Sequence, residues 1–251
     1  MKLPALLACT LSLAVVRLPA QAAATDSVPG TLVRWTMVAV PAGTVTLPDG
    51  TTHAVAAFEI GQTEVPWELF DIFLHRLDVP REERAGVDAA SRPSRPYGAP
   101  DRGYGHRGWP VISITHGAAQ RFATWLSEKT GRRYAVPTEA QWARAATLGA
   151  PTAVNAWHRD NADAATHRVA TLPADALGLF DLLGNAGEWV TTAEGGGLLA
   201  GGTFQDPPDS VSIARRARQA PSWNSTDPQI PKSRWWLSDG PFAGLRLVRL
   251  P

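Results

Sequence analysis

Cysteine is almost absent from this chain of 251 residues, and the single one is Cys9. It lies in a short apolar stretch, residues 6–16, which follows Lys2 and precedes the small residues 20–24. This order predicts a signal peptide over residues 1–24, whose removal takes Cys9 with it. We therefore expect a periplasmic or secreted mature chain without thiols or disulfides. A domain of this length can bury a sufficient apolar core without them.

Long apolar runs and a surplus of basic residues are also missing. The apolar stretch at residues 6–16 is shorter than the roughly 20 residues that span a bilayer. We therefore expect no stable membrane insertion, and lipidation at Cys9 is the alternative. The formal charge of +1 becomes about −1 once Lys2 and Arg17 leave with the signal. Neither value is typical of a nucleic-acid-binding protein.

Tryptophan, glycine and proline are abundant instead, with ten, 22 and 21 residues against only three tyrosines. This composition predicts many turns, little regular secondary structure and large aromatic anchors. No His-x-x-x-His pair, Ser-His-Asp arrangement or lysine-bearing glycine-rich loop stands out. The sequence thus offers no motif for a zinc site, for nucleophilic hydrolysis or for phosphate binding.

The first part of the mature chain has the pattern of a hairpin. Residues 25–35 are predicted to be a flexible lead-in. Two strands, residues 37–47 and 52–60, follow and are joined by a turn at Asp49-Gly50, a typical hairpin dipeptide.

Helical signals come later. A short helix is predicted after Pro66 and a longer one after Thr115, while Thr138 and Gln141 form a capping box that opens a third helix. Between the first two helices, residues 80–108 form a long surface loop, a type of segment that often carries function. Together these elements predict an α+β domain with two or three helices and small, irregular, mostly antiparallel sheets.

Seven segments of the chain match one known family in the same order. They are residues 37–43, 58–65, 110–114, 125–142, 178–189, 201–204 and 244–249. Together they resemble the formylglycine-generating-enzyme, or sulfatase-modifying-factor, domain over residues 36–250. The resemblance implies a C-type-lectin-like fold.

The sequence departs from this family at its catalytic centre. Family members that generate formylglycine hold copper with two cysteines, because soft thiolates suit Cu(I). The resemblance places the first cysteine three residues after the serine of a Gly-Gly-Ser motif. Here that serine is Thr203 and the cysteine position is Asp206. The following proline-containing stretch has no cysteine either, so we expect neither copper nor formylglycine generation.

Calcium is a second implication of the resemblance, because this ion prefers hard oxygen ligands. The first implied site consists of the Asp181 side chain and the carbonyls of Leu182, Gly184 and Ala186. The second consists of Asn155, the carbonyl of Ala156, and Asn161, which replaces an aspartate and should weaken the site. The alternative is that these residues only stabilise turns.

A binding cleft is expected near the Gly-Gly-Thr motif, where the family binds its substrate. The expected cleft residues are Arg215, Arg216, Arg218, Trp223, Trp235 and Trp236, with His106 from the long loop. Arginine and tryptophan are the residue types most enriched at binding hot spots.

These observations leave three hypotheses. The leading one is an exported pseudoenzyme that binds a peptide, glycan or small-molecule ligand in the old substrate cleft, with calcium bracing its loops. The second is a metal-dependent, non-thiol oxidase or maturation enzyme acting on a secreted metabolite or protein. Its iron would be held by Asp206 with loop histidines such as His106 and His158. The third is a scaffold for an envelope assembly.

Overall fold

The computed structural model describes residues 23–84, 91–94, 96 and 98–251. Except for Ala23 and Ala24, the predicted signal peptide lies outside the described residues. The strands in the described part are β1 (Ala23–Ser27), β2 (Arg34–Val40), β3 (Gly43–Thr46), β4 (Thr52–Val55), β5 (Phe58–Gly61), β6 (Arg133–Ala135), β7 (Gly187–Thr191), β8 (Gly197–Ala200), β9 (Arg216–Arg218), β10 (Ala243–Gly244) and β11 (Val248–Leu250). They form sheets with the orders β1-β2-β5-β11-β6, β10-β7-β8-β9 and β3-β4. The pairing of β10 with β7 is parallel, whereas the other named pairs are antiparallel.

Three α-helices lie in the described part: α1 (Trp67–Leu74), α2 (His116–Thr130) and α3 (Glu139–Gly149). Short 3-10 turns occur at Arg81–Glu83, Ala153–Asn155 and Pro221–Asn224. The Thr115 hydroxyl caps α2 by accepting from the N–H of Ala118, and the predicted capping box of Thr138 and Gln141 opens α3. None of these helices has both the length and the apolar character needed to cross a bilayer. The predicted α+β class, with helices and small sheets, is confirmed.

The predicted hairpin is divided into two parts. Its outer part is β2 and β5, which pair from Met37↔Gly61 to Val40↔Phe58 in the five-stranded sheet. Its tip is β3 and β4. Their pairing starts at Gly43↔Val55, and they form a separate two-stranded sheet. Pro41 lies at the break, where it has no N–H to donate to a strand ladder.

The N-terminal segment is ordered, which corrects the prediction of a flexible lead-in over residues 25–35. Strand β1 pairs with β2, and the Asp26 carboxylate is buried beneath it. This carboxylate accepts from the Tyr134 hydroxyl and forms ion pairs with Arg132 and Arg249. Arg132 and Arg249 are 106 and 223 residues further along the chain, so the local sequence around Asp26 gives no sign of them.

The apolar core has two clusters, one on each face of the five-stranded sheet. Met37 belongs to one cluster and Val38 to the other, because alternate side chains of a strand point to opposite faces. The first cluster includes Phe70 of α1 and Phe122 of α2, whereas the second includes Trp142 of α3. The helices therefore cover both faces of the sheet.

A buried ion pair connects the two larger sheets. Arg246 lies between β10 and β11, and its Nε and Nη2 atoms are 2.8 and 2.7 Å from Oε1 of Glu188 in β7. Arg246 also donates to the carbonyls of Gly61 and Phe180. The other oxygen of Glu188 accepts from the indole N–H of Trp142 at 2.7 Å. One ion pair thus links two sheets and α3.

Replacing Asp26 tests whether β1 is an integral strand. We expect Asp26→Asn to lower the free energy of unfolding by about 3 kcal/mol, because a neutral amide no longer balances the charge of the Arg249 guanidinium. Urea denaturation of the purified chain measures this change. Asp160→Asn is the control, because the side chain of Asp160 is 63% exposed, and it should change the value by less than about 0.5 kcal/mol. Equal stabilities of the two variants would contradict a structural role for β1.

Candidate functional site

The Gly-Gly-Thr motif forms a tight turn. Gly201 and Gly202 have φ values of 86° and 82°, which glycine adopts far more readily than other residues. A Cβ atom on Gly201 would lie 2.6 Å from the carbonyl oxygen of Leu182. The turn orients Thr203, whose N–H and hydroxyl donate to Oδ2 of Asp206 at 3.0 and 3.1 Å.

The second carboxylate oxygen of Asp206 is engaged as well. Oδ1 accepts from Nη2 of Arg215 at 2.9 Å, and the Asp206 side chain is only 17% exposed. Arg215, expected in the cleft, therefore neutralises Asp206. The arrangement stabilises the turn and offers neither a thiolate nor an activated nucleophile at this position.

The expected cleft tryptophans lie mainly in the core. Trp235 and Trp236 are only 3% and 5% exposed. Their rings lie 6.4 Å from Phe73 and 6.3 Å from Phe70, and the Trp236 indole donates to a backbone carbonyl of the long loop. Little of either side chain is thus exposed, although Trp236 lines a small cavity, and their role in a cleft stays a prediction. Trp223 is partly buried among other aromatic rings.

The remaining cleft arginines have different surroundings. Arg216 donates to Glu139 at 2.8 Å and lies 4.9 Å above the ring of Trp142, so it fastens β9 to α3. Burial lowers the pKa of Arg216. Arg218 is exposed and lines a groove of about 570 Å³ between the β3–β4 hairpin, the start of α3 and β7–β8. Arg216 and Arg218 therefore make different contacts although both lie in β9.

His106 lies at α1, where two carboxylates face its ring. Its Nε2 atom is 2.8 Å from Asp71 and its Nδ1 atom is 3.0 Å from Asp101. The ring stacks on the buried indole of Trp67, with centroids 5.1 Å apart. We call this arrangement the His106 bridge. Sequence spacing gave no sign of the bridge, because it joins a helix to a loop.

Both ring nitrogens of His106 can donate only when the imidazole is protonated. Burial alone would lower the pKa of His106, but the hydrogen bonds with Asp71 and Asp101 outweigh it and raise the pKa. The backbone N–H of Gly108 donates to Glu68 at 2.8 Å and fastens the same loop to α1. The His106 bridge thus joins the end of the long loop to the first helix.

Asp181 is the best-placed residue of the implied calcium sites. Its side chain is buried, and Oδ2 accepts from the N–H of Ala170 at 2.7 Å. Oδ1 has no hydrogen-bond partner among the described residues. Burial raises the pKa of Asp181 to about 6. A buried carboxylate oxygen without a partner fits a cation ligand, because an unpaired buried acceptor is costly.

The second implied calcium site fits a metal poorly. Asn161 donates to the Ala156 carbonyl at 3.0 Å and accepts from the N–H of His158 at 2.7 Å. Asn155 is engaged by Thr152 and by a backbone carbonyl. These residues satisfy one another in the manner of turn residues. In the described residues, no group of three or more His, Cys, Asp or Glu side chains is placed to hold a metal ion.

The His106 bridge predicts a pH-dependent loop. Folding raises the pKa of His106 above its unfolded value of about 6.5. The stabilising contribution of the bridge is therefore complete below the unfolded pKa and is lost as the pH rises through the higher pKa of the folded protein. Amide hydrogen exchange at Tyr104, corrected for the intrinsic rate, should therefore show weaker protection at high pH. His106→Gln should remove this pH dependence, and His158→Gln should keep it. Identical pH profiles for wild type and His106→Gln would rule out the bridge.

Comparison with known proteins places these features in a family. The model of a family described as "Sulfatase-modifying factor enzyme 1-like domain" matches residues 26–228. The formylglycine-generating enzyme of Mycobacterium tuberculosis is 32% identical over 108 residues, which are 34% of this chain and 34% of that protein. The match thus spans about a third of that relative's length.

Solved structures share the fold at low sequence identity. Treponema denticola variable protein 1 has a TM-score of 0.64 at 20% identity, over 91% of this chain and 99% of that one. PvdO from Pseudomonas aeruginosa has a TM-score of 0.62 at 23% identity, over 86% and 94%. CarF has a TM-score of 0.58 at 19% identity, over 86% and 98%. The family match over most of the chain and these shared folds lead to one conclusion: the chain belongs to the formylglycine-generating-enzyme, or sulfatase-modifying-factor, family.

Proposed function

We propose that this chain is an exported binding domain of the family that has lost the copper–thiolate chemistry. The observation that carries the proposal is the engagement of Asp206 at the position of the first copper-binding cysteine. Its two oxygens accept from Thr203 and Arg215, and Cys9 is the only cysteine in the sequence. A hard carboxylate already held by a guanidinium is a poor ligand for Cu(I).

Two grooves support a binding role. One of about 570 Å³ lies beside Arg218, and another of about 580 Å³ lies beside α1. Both volumes fall in the range of roughly 300–1,000 Å³ that is typical of ligand sites. Grooves of this size can hold part of a peptide, a glycan or a small molecule, and we propose a ligand from one of these classes.

Export is consistent with the position of β1. Signal cleavage after Ala24 would remove the first residues of this strand but would leave Asp26. The mature chain would therefore keep the ion pairs that Asp26 makes with Arg132 and Arg249. A periplasmic or secreted protein would therefore keep the rest of its N-terminal strand paired with β2.

We also propose one calcium ion at Asp181. The unpartnered Oδ1 atom and the carbonyls of Leu182, Gly184 and Ala186 would hold it. Glu64 and Glu188 lie near enough to Asp181 to repel it electrostatically, so a cation at this place would relieve an excess of buried negative charge. The ion would brace the loop that precedes β7.

Metal analysis tests the loss of copper chemistry and the iron alternative together. We expect wild type and Asp206→Asn, both incubated with Cu(I) or Fe(II) and then desalted, to retain equally little metal. Mass spectrometry should find no oxidation of a cysteine-containing peptide by either protein. Stoichiometric copper or iron in wild type that Asp206→Asn loses, together with oxidation of a substrate, would instead establish a metal-dependent oxidase.

Thermal unfolding tests the calcium site. Calcium at about 100 times its dissociation constant should raise the free energy of unfolding by about 2.7 kcal/mol, because it binds only the folded state. Asp181→Asn should abolish this gain, and Asn161→Ala in the poorly fitting second site should keep it. A gain that survives in Asp181→Asn would place calcium elsewhere.

A further inference from the structure

We infer that a groove beside α1 binds an acidic peptide segment that carries a large apolar side chain. The groove, of about 580 Å³, lies between the turn that precedes β2 and helix α1. Its walls include Leu32 and Arg34 from the turn, Asp71 and Leu77 from α1 and the residues after it, and Arg107 from the long loop. This inference rests on the proposed function, since it names a surface through which the domain binds. We call this surface the α1 groove.

Two exposed leucines line the α1 groove. Leu32 is 95% exposed and Leu77 is 44% exposed, and they are two of five large apolar side chains exposed in the described part of the chain. Ile72, which is buried, also lines the groove. Covering these leucines with an apolar side chain is favourable, because it removes apolar surface from water.

An ordered turn presents Leu32. The N–H and hydroxyl of Thr31 both donate to the carbonyl of Val28, at 3.1 and 2.9 Å, and Val28 is itself buried. Leu32 is therefore held outward by a fixed backbone rather than exposed by a frayed end. A preorganised apolar contact loses less conformational entropy when a partner binds.

The charges of the α1 groove select an acidic partner. The carboxylate of Glu68 accepts from the N–H of Gly108, and that of Asp71 is engaged by His106. No hydrogen bond or ion pair joins the side chain of Arg34 or Arg107 to another described residue. Within the described part of the chain, the groove thus has two guanidinium groups without an ionic partner against one such carboxylate, that of Glu68, whose hydrogen bond comes from a neutral backbone N–H. Guanidinium groups bind carboxylates through paired hydrogen bonds, which adds orientation to the attraction.

The shape and composition of the α1 groove favour a peptide over other partners. Adsorption to an anionic membrane typically uses clusters of roughly four to eight basic residues, whereas this concave surface has two free arginines. Its described lining contains no aromatic ring on which a sugar could stack. A short segment with an apolar side chain between carboxylates matches both the leucines and the arginines.

Fluorescence anisotropy with two synthetic peptides tests the inference on the full folded protein. One labelled peptide alternates leucine and glutamate, and the other has lysine in place of each glutamate. We expect the glutamate peptide to bind about tenfold more tightly, with an affinity that falls as salt rises. The double variant Arg34→Glu/Arg107→Glu should lose this preference, and Leu32→Ser should weaken binding of the glutamate peptide.

Arg218→Glu is the matched control, because it reverses one charge at the other groove. Unchanged binding by the Arg34→Glu/Arg107→Glu variant, with circular dichroism confirming that each variant is folded, would overturn the inference. Loss of binding in Arg218→Glu alone would also overturn it, but would leave the proposed binding function intact. Self-association that Leu32→Ser abolishes, or binding to phosphatidylglycerol vesicles without binding to the glutamate peptide, would assign the groove to a different occupant. Only the metal analysis bears on the loss of copper chemistry.

Discussion

The buried ion pair of Arg246 and Glu188 is the interaction on which the rest of the structure depends. Arg246 is fully buried, and its remaining N–H groups donate to the carbonyls of Gly61 and Phe180. Glu188 also accepts from Trp142 in α3. Removing one partner of a buried ion pair costs roughly 3–5 kcal/mol, because the other charge stays buried without compensation. The two larger sheets, α3 and the loop before β7 are therefore held in one arrangement.

The same ion pair leaves its surroundings rich in negative charge. Glu64 is fully buried and accepts from the backbone N–H of Ala186 and from the side chain of Asn185. Burial, together with repulsion by Asp181 and Glu188, raises the pKa of Glu64 well above its usual value. Three carboxylates thus share one buried guanidinium. Burial of these carboxylates disfavours their ionised forms and raises the pKa of each.

The polar contacts of the Gly201-Gly202 turn are separate from those of the buried network. Beside the turn, Asp206 and Arg215 form an ion pair, whereas Glu188 pairs with Arg246 in the interior. These two ion pairs share no side chain. The His106 bridge is a third polar cluster, which joins the long loop to α1.

The sequence by itself determined what depends on composition and on near neighbours. With Cys9 as its only cysteine, the sequence has no pair of cysteines, and the local signal at Thr138 located the start of α3. Only the tertiary structure decided which groups meet across long stretches of chain. It buried Trp235, placed His106 between two carboxylates and joined Asp26 to an arginine 223 residues away. Such contacts depend on how sheets and helices pack, and no periodicity or spacing within a segment specifies that packing.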